Sequence, residues 1–265
     1  MTTLIRMDDR APGGWWGRFW RRLGGRRVMV SSEHIAGVPY CLITLRTWEG
    51  TPWAELEETV GVNPVVFEKG VKLPAGLSVR VVDGEALRRR ILLNGVMYAL
   101  EEAARAGEVG HVALLDRFGR YAALLPRLMQ VCRAVTVVTA QEGEYRRLSE
   151  QLYQTLGVAP MITKRADGLI HCSALLAPEG IRGFGALEQP PLLFSPDGRE
   201  GLTVAAEDVP APFPEEMRSR YDVFALLTAF RGERLFRDVA KVIPACFREG
   251  ERRVSVEEAA GRFSP

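Results

Sequence analysis

The stretch His111-Val-Ala-Leu-Leu-Asp116 has the apolar composition of a buried β-strand, and two similar runs follow it. These are Ala134-Val-Thr-Val-Val-Thr139 and Gly168-Leu-Ile-His-Cys-Ser173. Between them, the segment Glu144–Leu156 has apolar residues at helical spacing and is followed by Gly157, which favours a helix end. Strands that alternate with helices predict a parallel sheet with right-handed crossovers. The fold class is therefore α/β.

The first 106 residues show a different pattern, which predicts a small α+β domain. Strand signals occur at Val38–Leu45, Pro64–Phe67 and Leu77–Val82, and a helix is expected from Thr51-Pro52 to Val60. Glu85–Ala106 has the clearest helical period and is predicted to link the two domains. We therefore predict a small α+β domain over residues 1–106 and a Rossmann-like domain over residues 107–265.

The carboxyl-terminal part of the second domain alternates between proline-rich connections and apolar segments. Short strands are expected at Leu192–Phe194 and at residues 202–205, and a long helix is expected over Tyr221–Ile243. The charged segment after Phe247 is expected to be partly mobile.

Composition limits the classes of partner and cofactor. Lys and Arg number 35 against 33 Asp and Glu, so the whole chain lacks the basic excess expected of a nucleic-acid-binding protein. Four separated cysteines and three histidines suggest neither a disulfide scaffold nor a metal site. No apolar run has the length of a membrane span or a signal peptide, and we expect a cytoplasmic protein.

The amino-terminal segment combines aromatic and basic residues. Trp15, Trp16, Phe19 and Trp20 are expected on one side of a helix. Seven arginines occur among the first 30 residues, against two aspartates: Arg6, Arg10, Arg18, Arg21, Arg22, Arg26 and Arg27. This pattern suits weak contact with anionic lipid, and it equally suits packing on the protein's own domain or self-association with a second copy.

Candidate ligand-binding residues lie at the carboxyl ends of the predicted strands or directly after them. Ligands of open parallel sheets bind outside the carboxyl ends of the strands. The candidates at those positions, should a nucleotide bind, are Asp116, Arg117, Gly119, Arg120, Thr139 and Ser173. His171 and Cys172 are reactive residue types, but neighbours on a strand point to opposite faces, so structural roles are expected for both.

The layout from His111 to Gly180 resembles the NAD(P)-binding domains of the shikimate dehydrogenase, methylene-tetrahydrofolate dehydrogenase and glutamyl-tRNA reductase group. The clearest likeness is Ala166-Asp-Gly-Leu-Ile-His-Cys-Ser-Ala174, which is similar to the strand before the nicotinamide loop in that group. The resemblance implies a Rossmann-like fold with NAD(P) as a possible cofactor. The cofactor would lie across the strand ends at Asp116, Thr139 and Ser173.

The chain departs from that group at the turn after the first strand. A diphosphate needs backbone N–H groups that it can approach closely, and three glycines provide them in a dinucleotide fold. Here only Gly119 is present, and Arg117, Phe118 and Arg120 beside it are bulky. Pro126 also predicts that the next helix begins late or bends.

Two functions remain open on these observations. The favoured hypothesis is a Rossmann-like protein without an orthodox dinucleotide site, acting in binding or assembly. The alternative is an NAD(P)-dependent oxidoreductase with an atypical phosphate-binding loop, in which Arg117 and Arg120 hold the phosphates as planar forks. Peripheral membrane attachment is compatible with either function.

Overall fold

The computed structural model describes residues 1–7, 28–45, 53–107, 109–165, 169–181, 192–196, 201–230 and 241–263. The chain divides into two compact units. One contains Met1–Leu87 and Ala211–Val239, and the other contains Arg88–Pro210 and Ala240–Pro265. The chain therefore passes from one unit to the other after Leu87, after Pro210 and after Val239, and the predicted domain boundary near Gly107 stays a prediction. The predicted amphipathic segment with Trp15, Trp16, Phe19 and Trp20 lies outside the described residues.

The first unit contains a four-stranded sheet. Its strands are β1 (Thr2–Met7), β2 (Val28–Ile35), β3 (Val38–Leu45) and β4 (Val65–Phe67), in the order β2-β3-β1-β4. Strand β1 is parallel to both of its neighbours, whereas β2 and β3 are antiparallel. The predicted strand at residues 77–82 is wrong, because this segment contributes only a single bridge between Val81 and Val65.

Among the described residues of this unit, three helices accompany the sheet. They are α1 (Trp53–Val60), α5 (Glu215–Arg220) and α6 (Val223–Ala229). Leu56 and Val60 of α1 are buried in a core with Ile5, Ile43 and Val65 from the sheet. The predicted helix over Tyr221–Ile243 is confirmed only for Val223–Ala229, and residues 231–240 lie outside the described part of the chain.

The long helix is confirmed with its predicted bounds. Helix α2 runs from Glu85 to Ala106. Gly84 precedes it at a position where a Cβ atom would lie 2.3 Å from Cβ of Phe224, so only glycine fits there. Among the described residues, no helix is long and apolar enough to cross a membrane.

The second unit contains an eight-stranded, mostly parallel sheet, which confirms the α/β class. Its strands are β5 (Val109–Leu115), β6 (Cys132–Val138), β7 (Met161–Thr163), β8 (Ala174–Leu176), β9 (Leu192–Phe194), β10 (Leu202–Thr203), β11 (Cys246–Glu249) and β12 (Arg252–Ser255). They are arranged in the order β12-β11-β10-β9-β8-β5-β6-β7. Strands β5 to β10 are parallel to their neighbours in this series. The chain thus winds outward from β5 to β7 and then continues from β8 on the other side of β5.

Helices α3 (Leu125–Val131) and α4 (Glu142–Leu156) connect the strands on one side of β5. Pro126 lies in the first turn of α3, and a short 3-10 turn, Ala122–Leu124, precedes it, so the predicted late start of this helix is confirmed. Helix α4 ends at Gly157, which has a φ of 73°. The left-handed conformation explains why glycine ends this helix.

The predicted strand Gly168–Ser173 is wrong. Leu169–His171 form a 3-10 turn, and the strand itself begins at Ala174. Leu169 and Cys172 are both buried, and this spacing of three residues suits a 3-10 turn rather than the alternation of a strand. The apolar run therefore led to the prediction of a strand where a 3-10 turn lies, and the actual strand begins later in the sequence.

The charged segment after Phe247 contributes to strands and a helix as far as Gly261, and its expected partial mobility stays a prediction. Strands β11 and β12 form an antiparallel hairpin that extends the sheet, and helix α7 (Val256–Gly261) follows it. Phe247, Val254 and Phe263 are fully buried. The ring of Phe263 stacks on that of Phe194 in β9, with centroids 5.7 Å apart. Apolar burial therefore anchors a segment whose composition is highly charged.

Candidate functional site

The carboxyl ends of the parallel strands bring several polar residues to one edge of the sheet. Asp116 follows β5, Thr139 follows β6, and Glu179 lies three residues beyond β8. Strands β5 and β8 are neighbours, and the winding of the chain reverses between them. In open α/β sheets this reversal opens a crevice at the carboxyl ends, and ligands bind there.

Asp116 closes the turn that follows β5. Its side chain is completely buried. Oδ1 accepts a 3.0 Å hydrogen bond from the backbone N–H of Arg120, and Oδ2 accepts one of 2.7 Å from that of Tyr121. The hydroxyl of Tyr145 in α4 also donates to Oδ2, at 2.5 Å. The backbone amides of this turn are therefore bonded to a carboxylate of the protein itself.

Tyr145 is bound to this carboxylate in its protonated form. Burial raises the pKa of its phenol far above the usual value, and the hydrogen bond and negative charge of Asp116 raise it further. The hydroxyl therefore remains a donor throughout the neutral and moderately alkaline range.

Gly119 is required by the backbone conformation of this turn. Gly119 has a φ of 74°, which side chains other than glycine rarely adopt. A Cβ atom added there would lie 3.0 Å from Oε2 of Glu144, so the Glu144 carboxylate lies against the same turn. A diphosphate approaching this turn would meet the negative charges of both Asp116 and Glu144.

Thr139 caps the turn between β6 and α4. Its hydroxyl oxygen accepts a 2.9 Å hydrogen bond from the backbone N–H of Gln141. Glu142, the acid that follows, forms ion pairs with Arg146 at 3.0 Å and Lys164 at 3.8 Å. Both residues therefore have structural partners at the position where a dinucleotide fold contacts the adenosine ribose.

The arginines of the turn surround an exposed aromatic ring. The side chain of Phe118 is 53% exposed. The guanidinium carbons of Arg117 and Arg120 lie 5.7 Å and 5.1 Å from its ring centroid, within the range of cation–π attraction. Arg120 additionally donates a 2.8 Å hydrogen bond from Nη1 to Oε1 of Glu179.

Arg89, Arg120, Tyr121 and Glu179 form a group that we term the Arg–Glu cluster. Nη1 of Arg89 lies 4.0 Å from Oε1 of Glu179, the oxygen that also binds Arg120. Burial raises the pKa of Tyr121, the Glu179 carboxylate raises it further, and the Arg89 guanidinium opposes the change. Glu179 and Arg89 therefore lie close enough to Tyr121 for their charges to act on its phenol.

Two polar atoms of the Arg–Glu cluster are buried without a partner. Within the described part of the chain, Nε of Arg89 and Oε2 of Glu179 make no hydrogen bond. A buried polar atom left unpaired costs about 1–3 kcal/mol. The cluster is therefore not arranged for maximal stability.

Ser173 does not join the other candidates. Its backbone N–H donates a 2.6 Å hydrogen bond to the carbonyl of His111, near the beginning of β5. Because β8 begins only after Ser173, this residue lies at the amino end of its strand. The structure thus brings together Asp116, Arg117, Gly119, Arg120 and Thr139, and it separates Ser173 from them.

Cys172 contacts a histidine that the sequence analysis did not pair with it. Its Sγ lies 3.6 Å from Nδ1 of His111, whose Nε2 lies 2.7 Å from the hydroxyl oxygen of Thr136. Burial raises the pKa of Cys172 to about 11, while burial and the charge of His171 lower that of His111. At neutral pH both groups are uncharged, so this pair lacks the thiolate of an activated nucleophile. The expected structural roles of His171 and Cys172 stay predictions.

The described residues contain no group of three or more His, Cys, Asp and Glu side chains that could hold a metal ion. Comparisons with protein-family models, curated proteins and solved structures found no match for this chain.

Proposed function

We propose that this chain is a Rossmann-like protein without an orthodox dinucleotide site and that it acts in binding or assembly. The observation that carries this proposal is the bonding of the Asp116 carboxylate to the amides of Arg120 and Tyr121. In a dinucleotide fold the corresponding turn must leave such amides free for the diphosphate.

The burial of Asp116 makes the loss of these two amides energetically costly. A diphosphate that took these two amides would leave a fully buried carboxylate whose side-chain donor, among the described residues, is the Tyr145 hydroxyl alone. Each hydrogen bond to a charged group contributes about 1.5–3 kcal/mol, so the exchange would cost several kcal/mol. The negative charge of Glu144 beside Gly119 would add repulsion.

Thermal unfolding with NAD, NADH, NADP and NADPH tests this proposal, with a known dinucleotide dehydrogenase as the positive control. A ligand at about 100 times its Kd adds about 2.7 kcal/mol, which raises the Tm of a protein of this size by about 5 °C or more. We expect no dinucleotide to raise the Tm. A shift of that size with any of the four would overturn the proposal.

The strand order favours a second candidate, the NAD(P)-dependent oxidoreductase with an atypical phosphate loop. The parallel strands β5 to β10 follow the spatial order 3-2-1-4-5-6 of a dinucleotide-binding sheet when β5 is counted as the first. In that case Arg117 and Arg120 would bind the phosphates. Replacing both with alanine should then weaken dinucleotide binding several-fold, while Arg105→Ala, at the exposed end of α2, should leave it unchanged.

We also propose that Trp15, Trp16, Phe19 and Trp20 make contact with anionic lipid or with a second copy of the chain. Because β1 is an inner strand of its sheet, truncation of the amino terminus would also remove structure. Serine at these four positions is the better test. Loss of sedimentation with anionic vesicles would support lipid contact, and loss of self-association in ultracentrifugation would support assembly.

A cytoplasmic location is also a proposal. None of the four cysteines is in a disulfide, as expected in a reducing compartment. Mass spectrometry of protein isolated under thiol-blocking conditions should find all four cysteines alkylated.

A further inference from the structure

We infer that the Arg–Glu cluster binds a small zwitterion of the α-amino-acid class at the carboxyl ends of β5 and β8. This inference rests on the proposed binding function and names its ligand class. The site lies where the winding of the sheet reverses, which is the position at which this architecture opens a crevice.

The unpaired atoms of the cluster define what the ligand must supply. Nε of Arg89 is a donor and needs an acceptor, whereas Oε2 of Glu179 is an acceptor and needs a donor. A carboxylate beside Arg89 and an ammonium group beside Glu179 satisfy both atoms at once. An α-amino acid carries these two groups on one carbon.

Charge favours the same class of ligand. The cluster places two guanidinium groups around one carboxylate. A simple anion would satisfy the arginines but would face the negative charge of Glu179, and a simple cation would face the two arginines. A zwitterion matches both signs.

Within the cluster, Glu179 is held in place, whereas Arg120 can be displaced by a ligand. Glu179 is held between buried neighbours, Pro178 and Gly180, and Gly180 has a φ of 80° and donates its N–H to the carbonyl of Ala177. The side chain of Glu179 is 13% exposed, whereas that of Arg120 is 61% exposed. An ion pair with so exposed a partner is weak, so Arg120 moves aside at low cost when a ligand enters.

Thermal unfolding of the full chain with each of the twenty common L-amino acids, at about 10 mM, tests the inference. We expect at least one to raise the Tm by about 5 °C, the shift produced by a ligand with a Kd of about 0.1 mM. The Kd of each hit is then measured by calorimetry. If no amino acid raises the Tm, the inference is overturned.

Two conservative variants locate the binding site. Glu179→Gln removes the negative charge, and Arg89→Lys keeps the positive charge but removes Nε. Each should weaken binding at least about tenfold, the loss expected for a hydrogen bond to a charged group. Arg127→Lys and Glu101→Gln alter another Arg–Glu pair of the same unit and should change the Kd less than about twofold.

Unchanged affinity in both Glu179→Gln and Arg89→Lys would overturn the inference. So would a full shift with inorganic phosphate that persists in Glu179→Gln, because it would indicate a site for anions alone. Circular dichroism without ligand confirms that each variant is folded. The dinucleotides test the proposed function and the amino acids test this inference, so the failure of one can be distinguished from the failure of the other.

Discussion

The hydroxyl of Tyr145 donates a 2.5 Å hydrogen bond to Oδ2 of Asp116, and both side chains are completely buried. Tyr145 belongs to α4, and Asp116 directly follows β5. This bond therefore joins the second helix of the parallel region to the turn after its first strand. The same carboxylate holds the turn closed through the amides of Arg120 and Tyr121.

Tyr145→Phe should lower the free energy of unfolding by about 1.5–3 kcal/mol, because a buried carboxylate loses a donor. Urea denaturation followed by circular dichroism measures the change. Tyr153→Phe is the matched control, since Tyr153 lies on the same helix and is 64% exposed. It should change the stability by less than about 0.5 kcal/mol. Equal stability of Tyr145→Phe and wild type would contradict the role assigned to this bond.

Gly201→Ala should lower the stability by at least about 2 kcal/mol. Gly201 has a φ of 94°, and an added Cβ would lie 2.3 Å from the carbonyl oxygen of Leu193 in β9. Both the backbone strain and the contact with a backbone atom oppose a side chain here. Gly107→Ala meets no atom within 4 Å and should change the stability by less than about 1 kcal/mol. The midpoint of thermal unfolding compares the two variants, and similar midpoints would refute the argument.

Asp208→Ala should detach the carboxyl-terminal hairpin from its anchor. The side chain of Asp208 is buried, and its oxygens lie 2.5 Å from Nε of Arg248 and 3.1 Å from Nη2 of Arg253. Removing one partner of a buried pair costs about 3 kcal/mol. Glu207→Ala removes a more exposed partner of Arg248 and should cost about 1 kcal/mol or less.

Trypsin provides a second measurement for the Asp208 prediction. We expect the Asp208→Ala variant to be cleaved after Arg252 or Arg253 much faster than wild type, because a hairpin without its anchor opens locally. Cleavage of Glu207→Ala should resemble that of wild type. Equal cleavage of all three proteins would show that apolar contacts alone secure the hairpin.

The four thiols should react in two classes. Burial raises the pKa of Cys172 to about 11 and that of Cys132 to about 12, so only about one molecule in a thousand carries a thiolate at Cys172 at pH 8. Cys41 and Cys246 are only half-buried. Iodoacetamide at pH 8 should therefore modify Cys41 and Cys246 first, as read by peptide mass spectrometry. Rapid modification of Cys172 in the native protein would instead indicate an activated nucleophile beside His111.

Local sequence patterns predicted the bounds of those elements whose own residues carry a clear hydrophobic period. The strands Val38–Leu45 and Leu192–Phe194 and the helix Glu85–Ala106 have the bounds predicted from their periodicity. The pattern failed at Gly168–Ser173, where a short apolar run suits a 3-10 turn as well as a strand. It also missed β1 and the charged hairpin, because pairing and burial supplied by distant residues stabilise those segments.

Part of the candidate site could also be predicted from the sequence. Asp116, Arg117, Gly119, Arg120 and Thr139 were found because residues after parallel strands share one edge of the sheet. Glu179 and Arg89 were missed as members of the site, since Arg120 and Glu179 are 59 positions apart and meet only because β8 lies beside β5. Ser173 was assigned to this edge because its strand was placed too early.

The amino-acid sequence by itself determined the alternation of strands and helices and the crowded turn after β5. Hydrophobic periodicity, glycine conformation and proline sterics act over a few neighbouring residues, so they can be read from the chain. Only the tertiary structure decided that Tyr145 and two backbone amides bind Asp116, and that Arg89 and Glu179 each bury an atom with no hydrogen-bond partner among the described residues. Those contacts depend on the order in which the strands pair, and that order follows from the burial of whole elements against one another.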